Sequence, residues 1–139
     1  MGRIVAIDFG IKRTGIAVTD VLKITANGLT TLDTPEVMNF LINYTKTEPV
    51  DIIVVGEPAN LDGSPTHATN AANTFVAELQ QKIPLIPIER EDESYTSKMA
   101  MQTLIDAGVK KKKRQDKKLL DKVSATIILQ SFLTRKGIW

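Results

Sequence analysis

The chain of 139 residues contains no cysteine and a single histidine, His67. The absence of cysteine excludes disulfide bonds, thiolate metal sites and thiol chemistry, and one histidine is too few for a histidine-rich zinc site. Any metal ion would therefore have to be held by oxygen ligands. We expect His67 to begin a helix rather than to act as a catalyst.

Aromatic residues and long apolar runs are also scarce. Aromatic side chains make up 5% of the chain, and none lies among its clustered lysines, so the base stacking of single-strand-binding proteins is not indicated. No apolar run approaches the roughly 18 residues of a membrane-spanning helix, and the N-terminus has no signal-peptide pattern. We therefore expect a cytoplasmic protein with no membrane partner. Its length and its 42% apolar content indicate one globular domain over residues 1–139.

Charge is divided unevenly along the chain. Residues 1–107 carry 8 basic and 14 acidic side chains, whereas residues 108–139 carry 10 basic and 2 acidic ones. A dense basic region attracts polyanions in a salt-dependent way, which makes nucleic acid the first partner to consider. The densest run, residues 110–114, could instead be a solvated loop, because like charges resist ordering.

The apolar pattern predicts an α/β protein with the element order β-β-β-α-β-α-β-α-α. An antiparallel hairpin at the start and parallel strands afterwards would give a mixed five-stranded sheet covered by helices. In the N-terminal half we predict strands at residues 4–9, 16–20 and 24–32, a helix capped by Thr34 with Pro35 in its first turn and ending near residue 47, and an interior parallel strand at residues 50–56.

Proline and glycine define the elements of the second half. Two prolines between residues 83 and 88 suit a short strand at an edge or end of the sheet. The predicted elements are a helix over residues 66–82, that strand, a helix capped by Ser94 or Thr96 and ended by Gly108, and a last helix over residues 116–134.

Asp8 is the most informative single residue. It lies in an apolar run from Ile4 to Phe9 that is closed by Gly10, and a carboxylate there must be paired, hydrogen-bonded or bound to a metal. The run predicts a strand buried on both faces, with Asp8 near the carboxyl end, where active sites of α/β folds gather. The alternative is a turn acid that accepts backbone N–H groups around Gly10.

Two later acids are candidates for a common site with Asp8. Glu93 follows the last predicted strand, and Asp121 lies early in the final helix, followed by the small residues Ser124 and Ala125, which would let the helix approach the sheet closely. Three converging carboxylates are electrostatically unfavourable unless a divalent cation lies between them. Oxygen ligands indicate Mg²⁺ or Mn²⁺, which can support phosphodiester hydrolysis.

Each of these acids also has a simpler explanation. Glu93 could be a first-turn acid that interacts with a helix dipole. Asp121 could form an ion pair with a neighbouring lysine of its own helix, at position 117, 118 or 122. Spacing in the sequence does not decide between these alternatives.

Four segments of the chain carry family motifs, in order, across nearly its whole length. They are residues 7–20, with Ile7-Asp8-Phe9-Gly10, Lys12 to Ala17 and Asp20; residues 54–64, with Val54 to Pro58 and Asp62-Gly63-Ser64; residues 92–97; and Asp121 with Ser124-Ala125 and residues 127–130. Together they resemble the YqgF/RuvX family, whose members are described as Holliday junction resolvases and pre-16S rRNA nucleases.

The resemblance implies a ribonuclease H-like fold and a metal-dependent nuclease acting on structured RNA or branched DNA. It assigns Asp8, Glu93 and Asp121 to the family's three acidic catalytic positions, which would bind Mg²⁺ or Mn²⁺. We expect the nucleic acid to be bound through its backbone and shape. The basic residues predicted to contact it are Lys12, Arg13, Lys110, Lys111, Lys112, Lys113, Arg114 and Lys117.

Two positions depart from the family pattern. The family has Asp-Glu-Arg where this chain has Asp-Glu-Ser, so Ser94 cannot supply the arginine's charge to a substrate phosphate. Arg90 or Lys98 would be the nearest replacements. Glu57 stands where related resolvases place a catalytic glutamate, and we rank it behind Glu93. Its alternative is an acid in a loop.

Processing of the 5′ end of pre-16S rRNA is the function that this reading favours. The alternatives are resolution of four-way DNA junctions by the same acids, and a catalytically silent RNA-binding assembly factor. The motif around Asp8 also resembles the first phosphate hairpin of actin-like ATPases and sugar kinases. Those proteins are generally much longer, with two such domains around the nucleotide.

Overall fold

The computed structural model describes residues 2–57, 67–92, 96–114 and 116–139. Strands and helices follow one another in the order that the sequence predicts, with one additional short helix. The strands are β1 (Arg3–Asp8), β2 (Arg13–Thr19), β3 (Ala26–Asp33), β4 (Val50–Glu57) and β5 (Ile88–Asp92). The helices are α1 (Thr34–Thr47), α2 (His67–Lys82), α3 (Thr96–Asp106), α4 (Lys111–Arg114) and α5 (Lys117–Arg135).

The five strands form one mixed sheet in the order β3-β2-β1-β4-β5. β2 is antiparallel to both β1 and β3, whereas β4 is parallel to both β1 and β5. The predicted hairpin and the interior parallel strand β4 are therefore confirmed, and β3 lies at an edge of the sheet. The α/β fold class with a five-stranded mixed sheet is confirmed as well.

One face of the sheet is covered by α1 and α2. Alternate residues of β1, including Val5 and Ile7, pack there with Val37 and Leu41 of α1 and with residues of α2. Alternation follows from the two-residue period of a strand, which sends neighbouring side chains to opposite faces. The continuous apolar run of β1 is explained in this way, because both of its faces are covered.

The opposite face is covered mainly by α5. Ile4 and Ala6 of β1 and Ala17 of β2 pack against a stripe of this helix that includes Ile128 and Phe132. Since α5 supplies most of that layer, its position determines what lies above the ends of β1 and β2. Neither α5 nor any other described helix is long and apolar enough to cross a membrane.

The predicted cap of α1 is wrong in detail. Asp33 occupies the N-cap position without a side-chain capping bond, and Pro35 lies in the first turn as expected. The Thr34 hydroxyl instead donates to the Gly10 carbonyl oxygen at 2.5 Å and contacts the buried Thr14 hydroxyl at 2.9 Å. The hydroxyl is drawn into the turn between β1 and β2, which leaves it unable to cap the helix.

The last strand lies further along the chain than the prolines suggest. Residues 83–87 form a turn, and β5 begins at Ile88. Pro84 and Pro87 have no N–H to donate to a sheet. The register with β4 therefore begins at Ile88, and Pro87 contributes only its carbonyl oxygen, which accepts the Ile53 N–H at 3.0 Å. Glu89 and Glu91, which follow the prolines, are therefore inside the strand.

The segment between α3 and α5 is more regular than its charge predicts. Gly108 ends α3 as expected, with a φ of +76° and an N–H that donates to the Ile105 carbonyl. The basic run then forms the short helix α4 rather than an irregular loop. Asp116 caps α5 by accepting the N–H groups of Lys118 and Leu119.

A methyl group added to Gly15 tests how closely α5 approaches the sheet. A Cβ atom on Gly15 would lie 2.2 Å from the Asp121 carbonyl oxygen, whereas one on Gly28 would meet the flexible Lys122 side chain. We expect Gly15→Ala to cost about 1–3 kcal/mol of stability because the helix backbone must move. That corresponds to a Tm lower by about 2–4 °C per kcal/mol in thermal unfolding.

Gly28→Ala is the matched control, since it makes the same chemical change in the neighbouring strand. Its cost should be clearly smaller, because a lysine stem can rotate away. Equal Tm values for the two variants would contradict a rigid contact between α5 and Gly15.

Candidate metal and nucleic-acid site

Asp8 ends β1 on the side of the sheet that faces α5. In the antiparallel ladder it pairs with Gly15, as Ala6 pairs with Ala17. Paired residues point to the same face, and Ala6 and Ala17 belong to the cluster under α5. Asp8 therefore points towards the helix that carries Asp121, as the sequence predicts.

Asp121 is brought to the same place by the close packing of α5. A Cβ atom on Gly15 would lie 2.2 Å from the Asp121 carbonyl oxygen and 2.6 Å from its carbonyl carbon. One turn further along the helix, the small residues Ser124 and Ala125 are buried against the sheet. Asp8 and Asp121 are thus both neighbours of Gly15. Asp8 lies beside it in the sheet, and the backbone of Asp121 lies above it.

Asp121 forms an ion pair with a residue of β2 rather than with its own helix. The Arg13 guanidinium Nε donates to its Oδ2 at 3.1 Å, and the two side chains are 30% and 24% exposed. The alternative explanation, an ion pair with a lysine at position 117, 118 or 122, is therefore wrong about the partner. Arg13 was predicted as a nucleic-acid contact, and its guanidinium lies at the candidate site beside the acid.

Burial dominates the electrostatics of Asp121. Loss of solvent raises the pKa of its carboxyl group above the ordinary value near 3.8, although the hydrogen bond and the charge of Arg13 act in the opposite direction. Lys117 lowers the pKa as well, and Asp116 raises it. The net direction of the pKa shift is upward, so ionisation of this carboxyl group is less favourable here than in water.

The third predicted acid, Glu93, and the departure at Ser94 lie outside the described residues. β5 ends at Asp92, one residue before Glu93, and β4 lies between β5 and β1 in the sheet. Glu57 ends β4, with its backbone paired to Asp92, and its side chain also lies outside the description. Within the described part of the chain, no three acidic or histidine side chains are grouped closely enough to hold a metal ion.

Arg90 forms hydrogen bonds with residues of β4 and of α2, the helix on the other face of the sheet from α5. Its guanidinium donates to the Val55 carbonyl at 3.3 Å and to the Asn73 side chain, on α2, at 3.0 Å. The idea that it replaces the family arginine is therefore not supported by its contacts. The side chain of Lys98, the other replacement considered, lies outside the described residues.

Glu91 is a buried acid that the sequence does not single out. It is 6% exposed, and it accepts hydrogen bonds of 2.7 Å from both Ser131 and Arg135 of α5. These contacts tie β5 to the helix that carries Asp121. The alternation of acids in β5 could have suggested one buried glutamate, but no local signal names its partners, 40 and 44 residues away.

Most of the predicted basic contacts are exposed and lie in two parts of the chain, around the start of α5 and in the turn after β1. Described lysines at positions 110–113 lie in or next to α4, and Lys117 begins α5, one turn before Asp121. Lys12 is exposed in the turn between β1 and β2, next to Arg13. The structure describes the backbone of Arg114 but not its side chain. These cations thus lie before or at the start of α5, which carries Asp121, and beside Arg13, its ion-pair partner.

Comparison with known proteins identifies the family. The model for RuvX, described as Holliday junction resolvase, matches residues 2–135. The chain belongs to the RuvX family. A relative from Christiangramia forsetii is 53% identical over 96% of this chain and 98% of its own, and one from Phocaeicola vulgatus is 51% identical over 98% of each. Both are named "Putative pre-16S rRNA nuclease".

Solved structures support the same fold at lower sequence similarity. Thermus thermophilus RuvC in complex with a Holliday junction substrate has a TM-score of 0.57 at 16% identity, over 99% of this chain and 97% of that one. Another T. thermophilus RuvC structure has a TM-score of 0.55 at 15% identity. The predicted family, the ribonuclease H-like fold and the enzyme class, a nuclease, are thereby confirmed for this RuvX-family chain.

The burial of Asp121 predicts a pH-dependent change in stability. A raised pKa means that this group contributes stability below about pH 3.8, which is lost as the pH rises through the raised value. In EDTA, Asp121→Asn should therefore raise the Tm at pH 7.5, because a neutral amide avoids the cost of a buried charge. The gain should vanish below pH 3.8. Thermal unfolding monitored by circular dichroism at both pH values measures it.

Asp106→Asn provides the comparison, since Asp106 is an exposed acid at the end of α3. It should leave the Tm nearly unchanged at both pH values. A lower Tm for Asp121→Asn at pH 7.5 would mean that the ion pair with Arg13 outweighs the burial cost.

Proposed function

We propose that this RuvX-family chain is a metal-dependent nuclease that hydrolyses a phosphodiester bond in the 5′ region of the 16S rRNA precursor. The observation that carries the proposal is that Asp8 and Asp121 are both neighbours of Gly15, Asp8 within the sheet and Asp121 on the helix above it. The names of relatives at about 50% identity support the precursor rRNA as substrate. Such a substrate would place the activity in the cytoplasm.

The residues at this site suit a hard divalent cation. Carboxylate oxygens are the ligands that Mg²⁺ and Mn²⁺ prefer, and Asp8 and Asp121 approach from different elements. Burial raises the pKa of Asp121 even with Arg13 beside it, so further positive charge would offset a real cost. When bound, a divalent ion supplies polarisation of the phosphoryl group and activation of the attacking water.

Each side chain has a distinct role in the proposal. Asp8 and Asp121 hold the cation, and we assign Glu93 the third acidic position from the resemblance of residues 92–94 to the family motif. Arg13 keeps the Asp121 carboxylate oriented and lies where it can also contact a substrate phosphate. The lysines of α4 and Lys117 would bind the backbone and release counterions.

Cleavage of a labelled precursor tests the proposed activity. The protein is incubated with an RNA that spans the 5′ end of 16S rRNA, in Mg²⁺, in Mn²⁺ and in EDTA. We expect cleavage only with metal, and a loss of at least about 100-fold for Asp8→Asn and Asp121→Asn, more than loss of an outer-shell partner costs. Asp106→Asn should cleave at the wild-type rate. Equal cleavage by Asp8→Asn and wild type would disprove the assigned site.

The description of the family as a Holliday junction resolvase favours one alternative substrate, a four-way DNA junction. A labelled junction is therefore tested under the same conditions. Cleavage of the junction with the RNA left intact would replace the proposed substrate while keeping the acids. Binding of RNA without cleavage of either substrate would indicate a silent assembly factor.

A further inference from the structure

A basic groove runs along the open edge of the sheet, between β3 and the start of α5. Its volume is about 360 Å³. Strand residues form one wall and residues of α4 and α5 form the other. The groove is lined by Leu29, Thr30, Thr31, Lys113, Asp116, Lys118, Leu119 and Lys122.

The charge of the groove is positive and available. Its one acid, Asp116, is occupied as the cap of α5, where it accepts the N–H groups of Lys118 and Leu119 at 3.0 and 3.4 Å. In the described part of the chain, no carboxylate forms an ion pair with Lys113, Lys118 or Lys122. Three ammonium groups therefore line one groove and can be used by a polyanion.

Two specific contacts hold the walls of the groove together. The Thr31 hydroxyl donates to the Lys118 carbonyl at 2.6 Å. Gly28 leaves room for the Lys122 stem, since a Cβ atom there would lie 2.6 Å from Lys122 Cγ. Because β3 has β2 as its one neighbour in the described sheet, half of its backbone polar groups also remain available beside the lysines.

The groove and the acids lie at the same level of the sheet. Thr31 pairs with Gly15, and Gly15 pairs with Asp8, so the three residues form one row across neighbouring strands. Two steps of about 4.8 Å separate the edge from Asp8, or about 10 Å in all. This distance is short enough for one nucleic-acid backbone to reach both the groove and the acids.

We propose that this groove binds the phosphate backbone of a duplex RNA close to the bond that is cut. This inference rests on the proposed function, and it adds Lys118 and Lys122 to the substrate contacts. Lysine ammonium groups suit phosphate oxygens as point charges. Aromatic residues are absent from the lining, so the groove fixes the register of the substrate and does not read its bases.

Salt-dependent binding tests the groove separately from cleavage. Binding of a fluorescein-labelled 20-base-pair RNA duplex is followed by anisotropy in EDTA, between about 50 and 200 mM NaCl. For Lys118→Gln/Lys122→Gln we expect weaker binding and a slope of log K against log salt that is smaller by about 2, since each phosphate contact contributes about 0.9. Lys118→Arg/Lys122→Arg should keep the wild-type slope.

The matched control removes two lysines from the opposite end of the sheet. Lys46 and Lys82 are exposed near the ends of α1 and α2, and Lys46→Gln/Lys82→Gln should bind as the wild type does. An unchanged slope for the groove variant, or an equal loss for the control, would overturn the groove. Because no metal is present, this result stands whether or not the protein cleaves RNA.

Discussion

The close approach of α5 to Gly15 is the constraint on which the site depends. At this position a Cβ atom would meet the helix backbone 2.2 Å away. Three things follow from that contact. Asp121 is placed above the residue that pairs with Asp8. The Arg13 side chain comes within hydrogen-bond distance of Asp121, and the nearby lysines Lys118 and Lys122 reach the edge strand β3.

One helix therefore carries both kinds of charge that a nuclease needs. Asp121 turns towards the sheet, where burial makes its negative charge costly, and Lys118 and Lys122 line the groove at the edge. The positive C-terminal region could have been a flexible tail that collects polyanions anywhere on the surface. Several of its lysines instead lie at the start of α5, the helix that carries Asp121. The positive potential of the chain is therefore concentrated near the candidate site.

The elements that follow local rules agree with their prediction. β1 and β4 are apolar runs bounded by glycine or proline, α1 carries Pro35 in its first turn, and Gly108 ends α3. The errors occur where a distant partner competes with the local preference. Thr34 bonds to the turn at Gly10 rather than capping its helix, and β5 starts after Pro87 because pairing with β4 requires N–H groups.

The candidate site divides in the same way. The local sequence predicts that Asp8 ends a buried strand. It also predicts that Asp121 lies on a helix face with small residues. The family motifs then connect these acids. The local sequence does not indicate that Asp121 pairs with Arg13, which is 108 residues away in the chain. Nor does it indicate that Glu91 pairs with Ser131 and Arg135. Those pairings depend on the packing of α5 across the sheet, because a charged side chain takes the partner that the fold brings within reach, whatever its distance along the chain.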